Sequence, residues 1–99
     1  MFARMSTFEV QPDQVDQALR NAREHVLPLL HQQDGFKAFI ALTDRQSGKT
    51  IGVSFWESEQ ALQASEEAGS RTRSETAQAS GGTVVALERY EVALFEVSS

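Results

Sequence analysis

Residues 54–65, SFWESEQALQAS, hold the only tryptophan in the chain. An apolar run, Ile51, Val53 and Phe55, leads into Trp56 and stops there. Ser58 is a good helix N-cap because its hydroxyl can accept from the N–H groups of the first turn. Glu59 then places a negative charge where the helix dipole favours one. A strand therefore ends and a helix begins within three residues, with the largest aromatic at the joint.

Upstream of the joint, Phe36 to Thr43 and Thr50 to Trp56 are rich in aromatic and β-branched residues. Asp44 to Lys49 between them, with Ser47-Gly48, is turn chemistry, so the pair reads as a β-hairpin. Further upstream, Val15, Ala18, Leu19, Ala22, Val26, Leu29 and Leu30 trace one stripe of an α-helix. Pro12 suits its first turn, Pro28 should kink or loosen its last turn, and Gly35 ends the element. Phe2 to Val10 reads as a first strand. Downstream, the second helix is poor in apolar residues beyond Leu62. From Ser65 to Gly82 no large hydrophobic residue occurs, and Gly69 is expected to divide that helix in two. The small residues of that stretch suit a surface helix or a mobile lid. Thr83 to Val97 reads as one long final strand.

The order β-α-β-β-α-β predicts a ferredoxin-like α+β fold: a four-stranded antiparallel sheet with both helices on one face. The strands carry apolar residues at both parities. Ile51, Val53 and Phe55 oppose Trp56, and Phe36, Ile40 and Leu42 oppose Phe39. Helices on one side would leave the other side an apolar patch of a size that marks an interface. A homodimer packed sheet against sheet covers it, and a chain this short gains from the added burial.

Ninety-nine residues make one domain, 1–99, with 40% hydrophobic and 23% charged residues. A net charge of −5 argues against nucleic acid or an anionic membrane as partner. The apolar runs fall far short of a membrane span, and Met1-Phe2-Ala3-Arg4 lacks the features of a signal peptide, so a cytoplasmic location is expected. The absence of cysteine excludes disulfides, thiolate metal sites and cysteine nucleophiles. His25 and His31 form no metal-binding pair. No Ser-His-Asp spacing stands out, and Gly81 and Gly82 precede a strand, the wrong setting for a phosphate loop. No metal or other cofactor is expected.

The hairpin DGFKAFIALTDRQSGK (34–49), the joint FWESEQALQAS (55–65) and the strand VVALERYEVALFE (84–96) together resemble the antibiotic biosynthesis monooxygenases, a family of dimeric α+β barrels. The resemblance covers nearly the whole chain. It implies a pocket between sheet and helices in which a flat phenolic substrate is oxidised by O₂ without metal or flavin. It also implies an asparagine four residues before the tryptophan and a tyrosine six after it. Trp56 matches, but those positions are Gly52 and Leu62, which cannot hydrogen-bond a carbonyl through a side chain or exchange a proton. The haem-degrading branch calls for an asparagine on the first strand and a histidine on the second helix, and this chain has neither.

The resulting expectation is a cofactor-independent monooxygenase acting on a small aromatic or polyketide-like compound, with Trp56, Leu62, Gly52 and Phe39 around the ligand. A non-catalytic small-molecule binding dimer is the alternative, and an isomerase or lyase with His25 as base is the third. Trp56 and His25 are the catalytic candidates. Which sheet face carries Phe39 relative to Trp56 depends on the hairpin register. Glu57, Glu59, His31, Arg71, Arg73 and Glu75 read as dipole partners or solvated surface. Tyr90, the only tyrosine, suits either a dimer contact or the pocket.

Overall fold

The hairpin and the joint fall where the sequence places them in the computed structural model, which describes residues 1–98 apart from the side chains of Thr72, Thr76, Ala79 and Ser80. Strand β1 (Phe2–Glu9) is followed by a 3₁₀ turn at Pro12–Gln14 and a long helical rod. The rod consists of α1 (Val15–Asn21), a π-helical stretch (Ala22–Val26) and α2 (Leu27–His31). Strands β2 (Phe36–Thr43) and β3 (Lys49–Trp56) form the hairpin. Helices α3 (Glu59–Ala64) and α4 (Glu66–Ser80) then lead to β4 (Thr83–Glu91). The sheet order is β2-β3-β1-β4 and every pairing is antiparallel, the ferredoxin-like arrangement.

Local chemistry explains the joints. The Ser58 hydroxyl accepts from the Ala61 N–H at 3.1 Å and starts α3. Pro28 offers no N–H to the Glu24 carbonyl and its ring crowds that carbonyl, so the rod widens just before it. The Leu27 N–H accordingly reaches back five residues to the Ala22 carbonyl. Gly81, at φ 67, caps α4 in the left-handed conformation.

Three expectations are corrected. The break in the second helix falls at Ser65, and Gly69 lies inside the continuous α4. The last strand ends at Glu91 rather than Val97. The Val92 N–H adds one bond to the Met1 carbonyl, and Phe95 in the following tail meets Phe55 edge-on at 5.6 Å. Finally, a register shift between Phe36 and Ala38 turns Phe36 to the face of Trp56 instead of that of Ile40 and Leu42.

The strand registers sort the faces. Beneath the helices lie Phe2, Arg4, Ser6 and Phe8 of β1, Thr50, Gly52, Ser54 and Trp56 of β3, and Phe39 and Ala41 of β2. Phe39 thus shares the face of Trp56. The opposite face carries Ala3, Met5, Ile51, Val53, Phe55 and Ala38, continuing to Ile40 and Leu42, which stay 44% and 52% exposed.

Candidate functional site

Side chains on the helix-covered face run in rows across the strands, and successive rows differ sharply in bulk. The first row is aromatic: Trp56 is paired with Phe2 on one side and Phe36 on the other. Its indole is 0% exposed, packs with Leu30, Leu62, Val26, Leu27, Phe39 and Ala61, and donates from Nε1 to Ser54 Oγ at 2.9 Å. The second row reads Arg89, Arg4, Ser54, Phe39 and the third Leu87, Ser6, Gly52, Ala41. Serine, glycine and alanine cannot fill the height between sheet and helix.

A cavity of about 70 Å³, open on one side, stands over these two rows. Ala18, Leu19, Ala22, Val26 and Leu30 of the rod cover it, and Gly69 and Arg73 of α4 bound it beside β1. At roughly 10–15 Å³ for each water held on this measure, the space takes about five to seven waters, which is near the bulk of one substituted aromatic ring. The walls are mostly apolar, with Arg4, Arg73, Ser6, Thr50 and Ser54 as the polar lining residues, the setting in which flat ligands bind. The Phe39 ring leans over Gly52 so closely that a Cβ there would lie 3.3 Å from its Cζ.

The expected site residues divide accordingly. Gly52 and Phe39 line the cavity. Trp56 and Leu62 stand one layer away in the filled row, sharing Leu30, Val26 and Phe39 with the cavity wall. Leu62 also edges a second, more open hollow of about 230 Å³ with Phe2, Glu59, Arg89 and Tyr90. His25 is exposed on the π-helical stretch and does not reach the cavity, and His31 is exposed with its ring edge-on to Phe36 at 5.2 Å. Tyr90 lies on the open face and donates to Glu88. Glu57 pairs with Lys37 and Arg71 with Glu67, both at the surface. Arg73, by contrast, is half-buried and bounds the cavity.

Arg4 is the residue that sequence reasoning missed. It is 3% exposed in the middle of β1. Its Nη2 donates to the Leu62 carbonyl at 2.7 Å and to Ser65 Oγ at 2.8 Å, and lies 3.3 Å from Glu66 Oε1. The guanidinium carbon is 5.7 Å from the centre of the Trp56 ring. Arg89 also grips Glu66, donating from Nη2 to Oε2 at 2.7 Å and from Nε to Oε1. A signal was present: a charged residue sharing the parity of Phe2, Ser6 and Phe8, facing a helix whose Ser65 and Gly69 are small.

The electrostatics are one-sided, with three guanidiniums around one carboxylate. Burial pushes the Arg4 pKa down, Glu66 opposes that, and the charges of Arg73 and Arg89 add to it. Burial likewise lowers Arg73. Hydrogen bonds from Arg89 first, then the charge of Arg4, hold the Glu66 carboxyl below its ordinary 4.5 against the opposing effect of burial. Among the described residues Arg4 and Arg73 are the charged groups lining the cavity, so its walls can stabilise an anion, and no described lining side chain is a proton acceptor near neutral pH. Among the described residues, no three His, Cys, Asp or Glu side chains converge as a metal site, and no helix is long and apolar enough to cross a membrane.

The family model for antibiotic biosynthesis monooxygenase matches residues 1–73. The chain belongs to this family. Over 93 residues it is 37% identical to the uncharacterized protein Rv2557 of Mycobacterium tuberculosis, covering 94% of this chain and 41% of that protein. The chain therefore spans about two fifths of the length of this curated relative. SnoaB, a cofactor-independent oxygenase from Streptomyces nogalater, is similar with a TM-score of 0.66 at 13% identity, over 95% of this chain and 94% of that one. A monooxygenase from the gene ActVA-Orf6 of Streptomyces coelicolor, solved with the ligand nanaomycin D, gives a TM-score of 0.65 at 20% identity, over 97% and 92% of the two chains. Likeness at such identities carries the fold; the reaction must be argued from the site.

Proposed function

We propose that residues 1–99 form a single domain that works as a homodimeric, cofactor-independent monooxygenase of a small aromatic compound, with the cavity over Ser6, Gly52 and Ser54 as its site. The observation that carries this reading is the cavity itself, an apolar ring-sized space in a member of this family. Phe39 supplies an aromatic wall, while Leu19, Val26 and Leu30 exclude water from a reactive carbanion. A phenol that arrives ionised needs no base from the wall. Its ring carbon passes one electron to O₂, the two radicals join as a carbon-bound peroxide, and loss of water leaves the carbonyl of a quinone. One O₂ is consumed and one water formed for each phenol oxidised. Oxygen uptake with hydroxylated benzenes and naphthalenes tests this, with one O₂ consumed per quinone formed as the expected result. Saturable ligand binding without oxygen uptake would instead establish a binding protein, the reading favoured by the lack of a proton acceptor among the described wall residues and by Gly52 and Leu62.

The dimer rests on the open face of the sheet, where Ile40 and Leu42 extend the apolar cluster of Val53 and Phe55 to the surface. Light scattering is expected to give about twice the 10.9 kDa chain mass. Leu42→Lys should shift that mass toward the monomer, since it buries an unpaired charge only in the associated state. A wild-type monomer at micromolar concentration would remove the sheet-to-sheet contact.

A further inference from the structure

We infer that the ligand of this cavity carries a carboxylate, held by Arg4 and Arg73 while its ring lies toward Phe39. The inference rests on the cavity being the ligand site, and on four independent observations of charge and geometry.

The first is an unsatisfied donor. Arg4 Nε is buried without a hydrogen-bond partner, although Nη2 of the same side chain has three oxygens around it. An unmet donor on a buried cation is costly, and it leaves the charge of Arg4, a residue that lines the cavity, undercompensated. The second is Arg73, which bounds the same cavity and, among the described residues, makes no ion pair. The third is the charge balance. Among the described residues Glu66 is the one carboxylate facing Arg4, Arg73 and Arg89, and Arg89 bonds both of its oxygens while Arg4 shares Oε1. Each of the two lining arginines is disfavoured by burial and by other guanidiniums, and an incoming anion offsets both effects.

The fourth is shape. Arg4 sits on β1 and Phe39 on β2, with β3 between them, so the cationic and aromatic walls are two strand spacings apart, about 9–10 Å. An aryl carboxylate laid across the strands spans that gap with its planar head at the arginines. The Arg73 guanidinium can match such a head in plane by two parallel bonds, with Arg4, whose Nη2 is already engaged, adding charge, whereas a phenol offers a single oxygen. Gly69 allows this approach, since a Cβ there would lie 2.7 Å from Arg4 Nη1 and 3.2 Å from Arg73 Nη1.

The test is equilibrium binding by calorimetry at pH 7 to the whole protein, with benzoate and 1-naphthoate set against benzamide, 1-naphthamide and 1-naphthol. The acids are expected to bind at least tenfold tighter than the amides of the same shape, and tighter than the phenol. Arg73→Gln should remove most of that preference, and Arg4→Met, which keeps the side chain's bulk, should remove it too if far-UV circular dichroism shows the variant folded. Arg73 at the cavity edge is the variant that decides if Arg4→Met does not fold. Equal binding of acid and amide, binding of the phenol as tight as that of the acid, or a preference untouched by Arg73→Gln overturns the inference and leaves the cavity as ligand site. Failure of every compound to bind overturns both. Absence of oxygen uptake with a clear preference for acids removes the oxygenase and keeps the carboxylate.

Discussion

Two neighbouring parts of one layer, the Trp56 nest and the cavity, share helices, sheet and even wall residues, yet one is filled and the other hollow. Along β3 the helix-facing positions run Thr50, Gly52, Ser54, Trp56, from small to the largest side chain. Helices rest on a sheet at a height set by its bulkiest contacts, so Trp56, Phe2 and Phe36 at one end hold the rod above the small residues at the next. The tryptophan therefore makes the cavity without facing it. Its indole N–H also occupies the Ser54 hydroxyl, which fixes one side chain of the cavity floor.

The difference is easiest to break from the filled side. Trp56→Ala removes a wholly buried indole and should cost about 3–5 kcal/mol in denaturant unfolding. Leu19→Ala, at the cavity wall, should stay near the lower end of the range for leucine truncation, about 2 kcal/mol, because part of that side chain already faces empty space. Equal losses at the two positions would mean that the cavity is closed by packing in solution.

Glu66 sharpens the comparison through pH. Its carboxylate is depressed in the folded state by Arg89 and Arg4, so it contributes stability above its ordinary 4.5 and loses it as pH falls through the lower folded value. Glu66→Gln should cost about 1–2 kcal/mol at pH 7, the scale of hydrogen bonds to charged groups reduced for partial exposure. The variant's stability should also fall less steeply with pH below 4.5 than that of the wild type. Parallel curves would show that the three guanidiniums do not depend on this carboxylate.

Filling the hollow should separate binding from stability. Ala22→Leu adds bulk from the covering helix and should alter stability by about 1 kcal/mol or less, because there is space to receive it. Ligand affinity should fall tenfold or more in the same variant. Unchanged affinity would place the ligand elsewhere, the hollow beside Leu62 being the next position to examine. Gly52→Asn is a poorer probe of the family's polar site, since its side chain must displace the Phe39 ring.

Elements whose residues repeat with a clear period were legible from the sequence: the helical stripe from Val15, the hairpin, and the capped start at Ser58. Register was not. One shifted residue near Lys37 moves Phe36 to the other face, and nothing in the local pattern marks it. A pocket was expected from the family resemblance, and its place was assigned to Trp56 because the joint drew attention to the largest residue. The vacant volume instead follows the smallest residues of the sheet, Ser6, Gly52 and Ala41, which become neighbours only once three strands are in register. Arg73 looked solvated for the same reason. Its partners in charge, Arg4 and Arg89, lie 69 and 16 positions away in sequence and meet it through the sheet.

Gly69 gives the smallest expected change in stability and a direct check on how closely the arginines approach. A glycine inside a helix costs about 1 kcal/mol relative to alanine, so Gly69→Ala at an unconstrained site should stabilise by that much. Here the new methyl would lie 2.7 Å from Arg4 Nη1 and 3.3 Å from its Cζ, and a guanidinium already bonded to Leu62 and Ser65 must shift to admit it. The two effects oppose each other, and the net change in unfolding free energy should stay within about 0.5 kcal/mol. The shift of Arg4 should nonetheless appear as a weaker preference for aryl carboxylates over their amides. Full stabilisation with an unchanged preference would mean that Arg4 does not press against α4, and that Gly69 is simply a poor helix residue.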